Sequence, residues 1–292
     1  MKLAITGGSG QLARKVAELA LATVAPEQLI LTTRTPAALA AFAARGVTVR
    51  AADFAAPESL RAAFAGAERL LLISATDLAR RSEQHRAALD AARAAGVRHV
   101  IYTSGLKPEP PNPAVVAPSH YATEQALTQS GLDWTILRHS LYADYQAPEA
   151  AQAIASGRLL HNRGTGKIAY VARDDCAAVS AAVLVSRGHS GRCYDITGPQ
   201  AYSAAELAAL YAELGGRPVL ERAVSDAELI ATMVGSAGND DHRRYGAELV
   251  ASFGRSIREG YMAACTDDVA KLTGRVPRSL RAVLESLRTG AP

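Results

Sequence analysis

The chain has 292 residues, 49% hydrophobic and 21% charged, with a formal net charge of +4. That is enough to bury one large domain, or a domain plus a smaller lobe, and no apolar run reaches the roughly 18 residues of a membrane span. The pI is near 9.0, but the basic residues are scattered without interleaved aromatics, which argues against nucleic acid as a partner.

Residues 1–6 run straight into a strand, so no signal peptide is expected. Cys176, Cys193 and Cys265 are far apart and form neither a disulfide framework nor a metal-like spacing with histidine. A reducing, cytoplasmic setting without a bound metal is the expectation.

Leu3-Ala4-Ile5 reads as a buried strand, Gln11 to Val24 as a helix, and Leu29-Ile30-Leu31 as a second strand. Between the first two lie Gly7, Gly8 and Gly10. A pyrophosphate reaches a helix N-terminus only where no Cβ atom blocks it, so Gly7 and Gly10 are suited to the turn. Ala13 is the third small residue, which lets helix and strand lie close.

The second strand ends in Thr32-Thr33-Arg34. An acidic residue there would bond the ribose 2′-hydroxyl of NAD, whereas a guanidinium accommodates the 2′-phosphate of NADP. No Asp or Glu occurs between Glu27 and Asp53, so NADPH is the expected cofactor.

Thr35-Pro36 starts a helix to Ala44, Val47 to Arg50 is a third strand, and Pro57 opens a helix that stops at Gly66. Leu70 to Ile73 and His99 to Tyr102 are further strands, separated by a helix from Arg80 to Ala95. The alternation predicts an α/β fold, a Rossmann-type doubly wound parallel sheet.

Gly105 to Pro118 carries five prolines and should form a wall or lid at the sheet's carboxyl edge. Ser119 is the expected cap of a helix to Gln129, followed by a strand from Asp133 to Arg138. Gln146 to Ala155 reads as a helix, Lys167 to Val171 as a short strand, and Asp174 to Val185 as a helix. Cys193 to Ile196 is a strand, Ser203 caps a helix to Leu214, and from Pro218 a strand precedes three or four helices. Residues 1–145 are thus expected to form the dinucleotide domain, with about 166–200 returning to it, and 146–292 a smaller α+β lobe.

TGGSGQLA, Arg34, Ala52-Asp53-Phe54 and LLLIS at 70–74 resemble the NmrA-like proteins, an atypical branch of the short-chain dehydrogenase/reductases. AAGVRHVIYTS, HYATEQAL, LRHSLYADY, GKIAYVARDDCAAV and YDITGP continue the likeness, which thins after about residue 215. Within the family it is greatest toward the type 2 quinone oxidoreductase and triphenylmethane reductase branches.

The resemblance implies that Thr6, Gly7, Gly10, Gln11 and Leu12 line the pyrophosphate and Arg34 the 2′-phosphate. It places Asp53 and Phe54 by the adenine, with Ser74, Tyr102 and Thr103 nearer the nicotinamide. His139 and Tyr142 match positions that line the substrate pocket. Many short-chain dehydrogenases use Tyr-x-x-x-Lys, but here Tyr121 is followed by Gln125, and glutamine cannot favour the phenolate as a cation would. Hydride transfer to an electron-poor acceptor makes less demand on such a pair.

Tyr121, His139 and Tyr142 are therefore the candidate catalytic residues, with His120 either a pocket residue or a surface position at a helix start. Glu124 reads as a solvated helix position and Asp174-Asp175 as a helix cap and acidic first turn. Asn239 to His242 reads as a loop and helix start. Ser104-Gly105 lacks the preceding glycine of a nucleophile elbow.

The expected function is NADPH-dependent reduction of a quinone or similar conjugated aromatic electrophile. Trp134, Tyr142, Tyr145 and Tyr170 could supply aromatic walls. The alternatives are a non-catalytic NADP(H)-sensing NmrA-like regulator, or a reductase of an imine, ketone or aldehyde. A homodimer stays open.

Overall fold

The computed structural model of the protein describes residues 1–235 and 241–289. The strands β1 (Leu3–Ile5), β2 (Leu29–Thr33), β3 (Thr48–Ala51) and β4 (Arg69–Leu72) are the first four of the sheet. Strands β5 (His99–Gly105), β6 (Asp133–His139) and β8 (Arg192–Ile196) complete a parallel seven-stranded sheet of order β3-β2-β1-β4-β5-β6-β8. Strand β7 (Arg158–His161) stands outside it.

β1, β2 and β4 are buried along their whole length because helices cover both faces. Leu3, Ile5 and Leu31 face α1 (Gln11–Ala20) and α7 (Arg173–Val185), with Phe42 of the short α2 (Ala40–Ala43) at the margin. Ala4, Ile30, Leu70 and Leu72 face α3 (Glu58–Phe64), α4 (Arg81–Ala94) and α5 (Ala117–Thr128). The order in which the chain lays down its strands reverses between β1 and β4, which opens a crevice at the sheet's carboxyl edge.

A second core is built from α6 (Gln146–Ser156), α8 (Ala204–Gly215), α10 (Asp241–Arg258) and α12 (Leu280–Thr289). β9 (Leu220–Ala223) pairs in parallel with β7, which sequence periodicity did not reveal. Helices α9 (Asp226–Val234) and α11 (Asp268–Thr273) complete this lobe and the join to β8.

Lys167–Val171 is not a strand. Its amides donate one at a time to separate partners, Ile168 to Tyr202, Ala169 to Met262 and Val171 to Leu141, so no ladder forms. Gly166 permits this, since a Cβ there would lie 2.1 Å from the Ile257 carbonyl oxygen. Helix α5 starts at Ala117 rather than after Ser119, whose hydroxyl donates to the Val116 carbonyl. Asp174 and Asp175 lie in the first turn of α7 without capping it; both engage Arg278 instead. Asn239 and Asp240 lie outside the described residues, and Asp241 is the first residue of α10.

Candidate active site

The turn after β1 is built for close approach. Gly7 has φ +62° and Gly10 donates its amide to the Gly7 carbonyl at 2.8 Å. Gly8 is the residue whose spacing carried no signal in the sequence. A Cβ there would meet Leu39 Cδ1 at 2.9 Å, Leu31 Cβ at 3.2 Å and Thr32 O at 3.3 Å, so any side chain would crowd the turn against β2. Gly10 leaves the start of α1 without a side-chain cap, and the first-turn amides, those of Gln11 and Leu12 among them, have no intrahelical acceptor. They and the helix dipole make an anion cradle.

Arg34 follows β2, is exposed, and makes no hydrogen bond or ion pair among the described residues. Asp53 and Phe54 stand at the end of β3, with the Asp53 carboxylate accepting the Ala55 amide at 2.9 Å. The observed donors and spaces fit a dinucleotide with a 2′-phosphate. The Thr6 hydroxyl is buried between β1 and β4, bonded to Leu71 O and Ile73 N, and Leu12 turns its side chain into the core. Leu12 offers only its backbone amide.

Past the ends of β4, β5 and β6 lies a cleft of about 160 Å³, open to solvent. Ser74 and Thr103 form its inner end, and the Ser74 amide donates to the Thr103 hydroxyl at 3.0 Å. The proline loop is one wall, through Leu106, Pro108, Asn112 and Val116. His139, Ser140, Tyr142 and Tyr145 form the opposite wall, and Phe253 of α10 with Met262 closes the outer end. Phe253 and Met262 come from the region where sequence likeness is thinnest.

The candidate catalytic residues separate. His139 and Tyr142 line the cleft, with His139 Nδ1 3.2 Å from the Tyr142 hydroxyl. His139 Nε2 and Ser140 Oγ are buried without partners, so two polar atoms of this wall remain for a ligand. Burial pushes the His139 imidazole down to about 3, and burial raises the Tyr142 phenol, so both are neutral near pH 7. Tyr121 does not line the cleft; its neighbour on α5, His120, does. Tyr102 is fully buried below the cleft, with its hydroxyl 2.8 Å from His120 Nδ1, so it touches no ligand. Trp134 packs at the amino end of β6 and Tyr170 in the second core, away from the cleft.

Glu124 is buried rather than solvated. It accepts from Ser104 Oγ at 2.6 Å and from Arg138 Nε at 3.0 Å, while Arg138 also bonds Glu109 of the proline loop at 2.5 Å. The Arg138 guanidinium thereby ties loop, β5 and α5 together. Arg173 lies 5.4 Å from the Tyr142 ring centroid and 5.2 Å from that of Tyr145, bonds Gln11, and pairs with Asp144 at 3.6 Å. It joins the glycine turn to the cleft, and its basic position before Asp174 was the only signal in the sequence.

Among the described residues no group of three or more His, Cys, Asp or Glu could hold a metal, and no helix is long and apolar enough to cross a membrane.

A glycine-turn Rossmann sheet with an anion cradle at its first helix and an aromatic cleft at its carboxyl edge defines an NAD(P)H-dependent oxidoreductase. The chain belongs to the NAD(P)H-binding family, whose pattern matches residues 7–187. It is 38% identical over 231 residues to quinone oxidoreductase 2 of Escherichia coli, spanning 79% of this chain and 80% of that one. The crystal structure of the E. coli enzyme QOR2 complexed with NADPH superposes with a TM-score of 0.92 at 34% identity, over 98% of this chain and 99% of that one. That of Citrobacter triphenylmethane reductase complexed with NADP(H) gives 0.89 at 33%, again over 98% and 99%. The NmrA-like resemblance is borne out.

Proposed function

We propose that this protein is an NADPH-dependent reductase that passes hydride to a quinone or a similar conjugated aromatic electrophile. The observation that carries the reading is the junction of two sites. Arg173 links the glycine turn to a cleft walled by Tyr142, Tyr145 and Phe253: it bonds Gln11 and lies over the rings of Tyr142 and Tyr145. A regulator that only senses the dinucleotide has no need of such a cleft.

Gly7, Gly10 and the amides of Gln11 and Leu12 would hold the pyrophosphate, and Arg34 the 2′-phosphate. Asp53 and Phe54 flank the adenine end; Ser74 and Thr103 stand at the nicotinamide end. NADPH supplies the hydride. The chain's own contribution is placement, since holding reactants in contact accounts for much of the barrier reduction in such transfers. His139 Nε2 and Ser140 Oγ take a polar group of the ligand, the tyrosine wall stacks its ring, and the proline loop excludes water. No lysine follows Tyr121 at the usual spacing, and the reduced acceptor takes its proton from solvent at the cleft mouth.

The test is NADPH oxidation, followed at the nicotinamide absorbance, with simple quinones and with NADH in parallel. Arg34→Ala should weaken NADPH by roughly 10- to 100-fold, the worth of charge-assisted hydrogen bonds, and leave NADH unchanged. Tight NADPH binding with no turnover of any acceptor would refute the reductase and favour the sensor.

A further inference from the structure

Behind the α5 wall of the cleft lies a guanidinium without a counter-ion. Arg81, the first residue of α4, is 6% exposed and pairs with no carboxylate among the described residues. Its Nε donates to the Ala75 carbonyl at 2.7 Å, and its Nη1 to Ser119 Oγ at 3.3 Å and to His120 Nε2 at 3.2 Å. An unpaired buried charge is costly to keep.

The hydrogen bonds show where that charge resides. A guanidinium only donates, so His120 Nε2 accepts and its proton sits on Nδ1, toward the Tyr102 hydroxyl at 2.8 Å. The Ala75 amide likewise donates to His85 Nε2 at 2.9 Å, leaving the Nδ1 proton for Thr123 Oγ1 at 2.9 Å. Both histidines are neutral. Burial and then Arg81 push His85 down to about 3, and the same causes depress His120, with His85 and His139 adding to the effect. Tyr102 and Tyr245 also face Arg81, and Glu124 faces Tyr102 but is held by Arg138 and Ser104.

Among the described residues the cleft lining contains no Asp, Glu, Lys or Arg. Of the guanidiniums around it, Arg173 is paired with Asp144 and Arg138 with Glu124. Lys107, between the lining residues Leu106 and Pro108, is exposed to solvent; the buried guanidinium beside the acceptor wall with no paired carboxylate among the described residues is Arg81, one imidazole away.

We propose that Arg81 acts as a positioning residue that sets the charge class of the acceptor, favouring neutral acceptors that leave as oxyanions and disfavouring cationic ones. The inference rests on the reductase reading. A quinone that gains a hydride, two electrons and one proton, becomes a hydroquinone monoanion, and a solvent proton completes the hydroquinone. A cationic triphenylmethane dye or an iminium ion gains the same hydride and becomes neutral, so a nearby positive charge opposes its binding.

The direct test uses 4-nitrophenol bound to the NADP⁺-saturated enzyme, with the visible absorbance of its phenolate followed against pH. A charge one imidazole beyond the cleft wall, at an effective dielectric near 20, should lower the bound phenol's pKa by about one to two units. Arg81→Met should abolish the shift and Arg81→Lys keep most of it. In turnover, Arg81→Met should lose about tenfold or more in kcat/KM for a neutral quinone and gain on a cationic dye, by the same electrostatics. If Arg81→Met does not fold, Arg81→Lys against Arg81→Gln makes the same comparison. Unchanged phenol ionisation in the charge-removed variant, with normal quinone turnover, overturns the inference and leaves the reductase reading standing. A phenol shift that depends on Arg81, with no quinone turnover, overturns the reductase reading and leaves the effect of Arg81 on bound anions intact.

Discussion

Glu124→Gln tests whether the proline loop is held by a buried charge. Glu124 has 4% of its side chain exposed and meets Arg138 Nη2 at 2.6 Å and Nε at 3.0 Å. Removing one partner of a buried pair costs about 3–5 kcal/mol, because the other charge is left uncompensated. Two features of this site reduce that figure. Arg138 keeps Glu109, which is 45% exposed, and glutamine still accepts one bond from Ser104 or Arg138. The expected loss is about 2–3 kcal/mol, which for a chain of this size lowers Tm by roughly 4–12 °C. Thermal unfolding by circular dichroism measures it. The double variant with Arg138→Met should be more stable than the sum of the single losses by about 1 kcal/mol or more. Since Glu109 belongs to the loop, the acceptor KM should rise while NADPH affinity holds. A Glu124→Gln protein within about 0.5 kcal/mol of the parent, or strict additivity in the double variant, would refute the reasoning.

Acid should destabilise the protein early. His85 and His139 are each held down to about 3 and His120 below its ordinary value, all below the unfolded imidazole. The folded state thus binds fewer protons than the unfolded one below about pH 6.5. Stability present above that pH is lost as pH falls toward 3, with a slope of up to about 1.4 kcal/mol per unit for each histidine. Tm measured from neutral pH downward should drop steeply, His139→Asn should flatten the slope, and a level Tm between about pH 7 and 5 would contradict it. Tyr121 and Tyr142 make opposite predictions. Tyr121→Phe should leave quinone turnover within about twofold, whereas Tyr142→Phe, which removes the hydroxyl beside His139, should lower kcat/KM by roughly tenfold. The reverse ranking would put the proton donor on α5.

The dinucleotide half of this protein was determined by local sequence. Strand, glycine turn, helix and strand are short-range features, and Gly7, Gly10, Ala13 and Arg34 each act through backbone geometry or charge at a fixed offset. The parallel strands are equally legible, because burial on both faces demands near-continuous apolar runs such as Leu70 to Ile73. Gly8 shows the limit within that half: its need for glycine comes from Leu39 and Thr32, which the chain brings back only after β2 is in place.

The acceptor cleft was decided by the tertiary structure. Its walls come from β5, β6, the proline loop and α10, more than 140 residues apart along the chain between Thr103 and Phe253. Helical phase, not residue type, decided between adjacent positions on α5. It turned His120 into the cleft, Glu124 into the core and Tyr121 away from the ligand. The same packing stripped Arg81 of solvent, with no carboxylate paired to it among the described residues. A sequence shows an arginine at a helix start; only the fold shows that it is buried beside His120, a residue of the cleft wall.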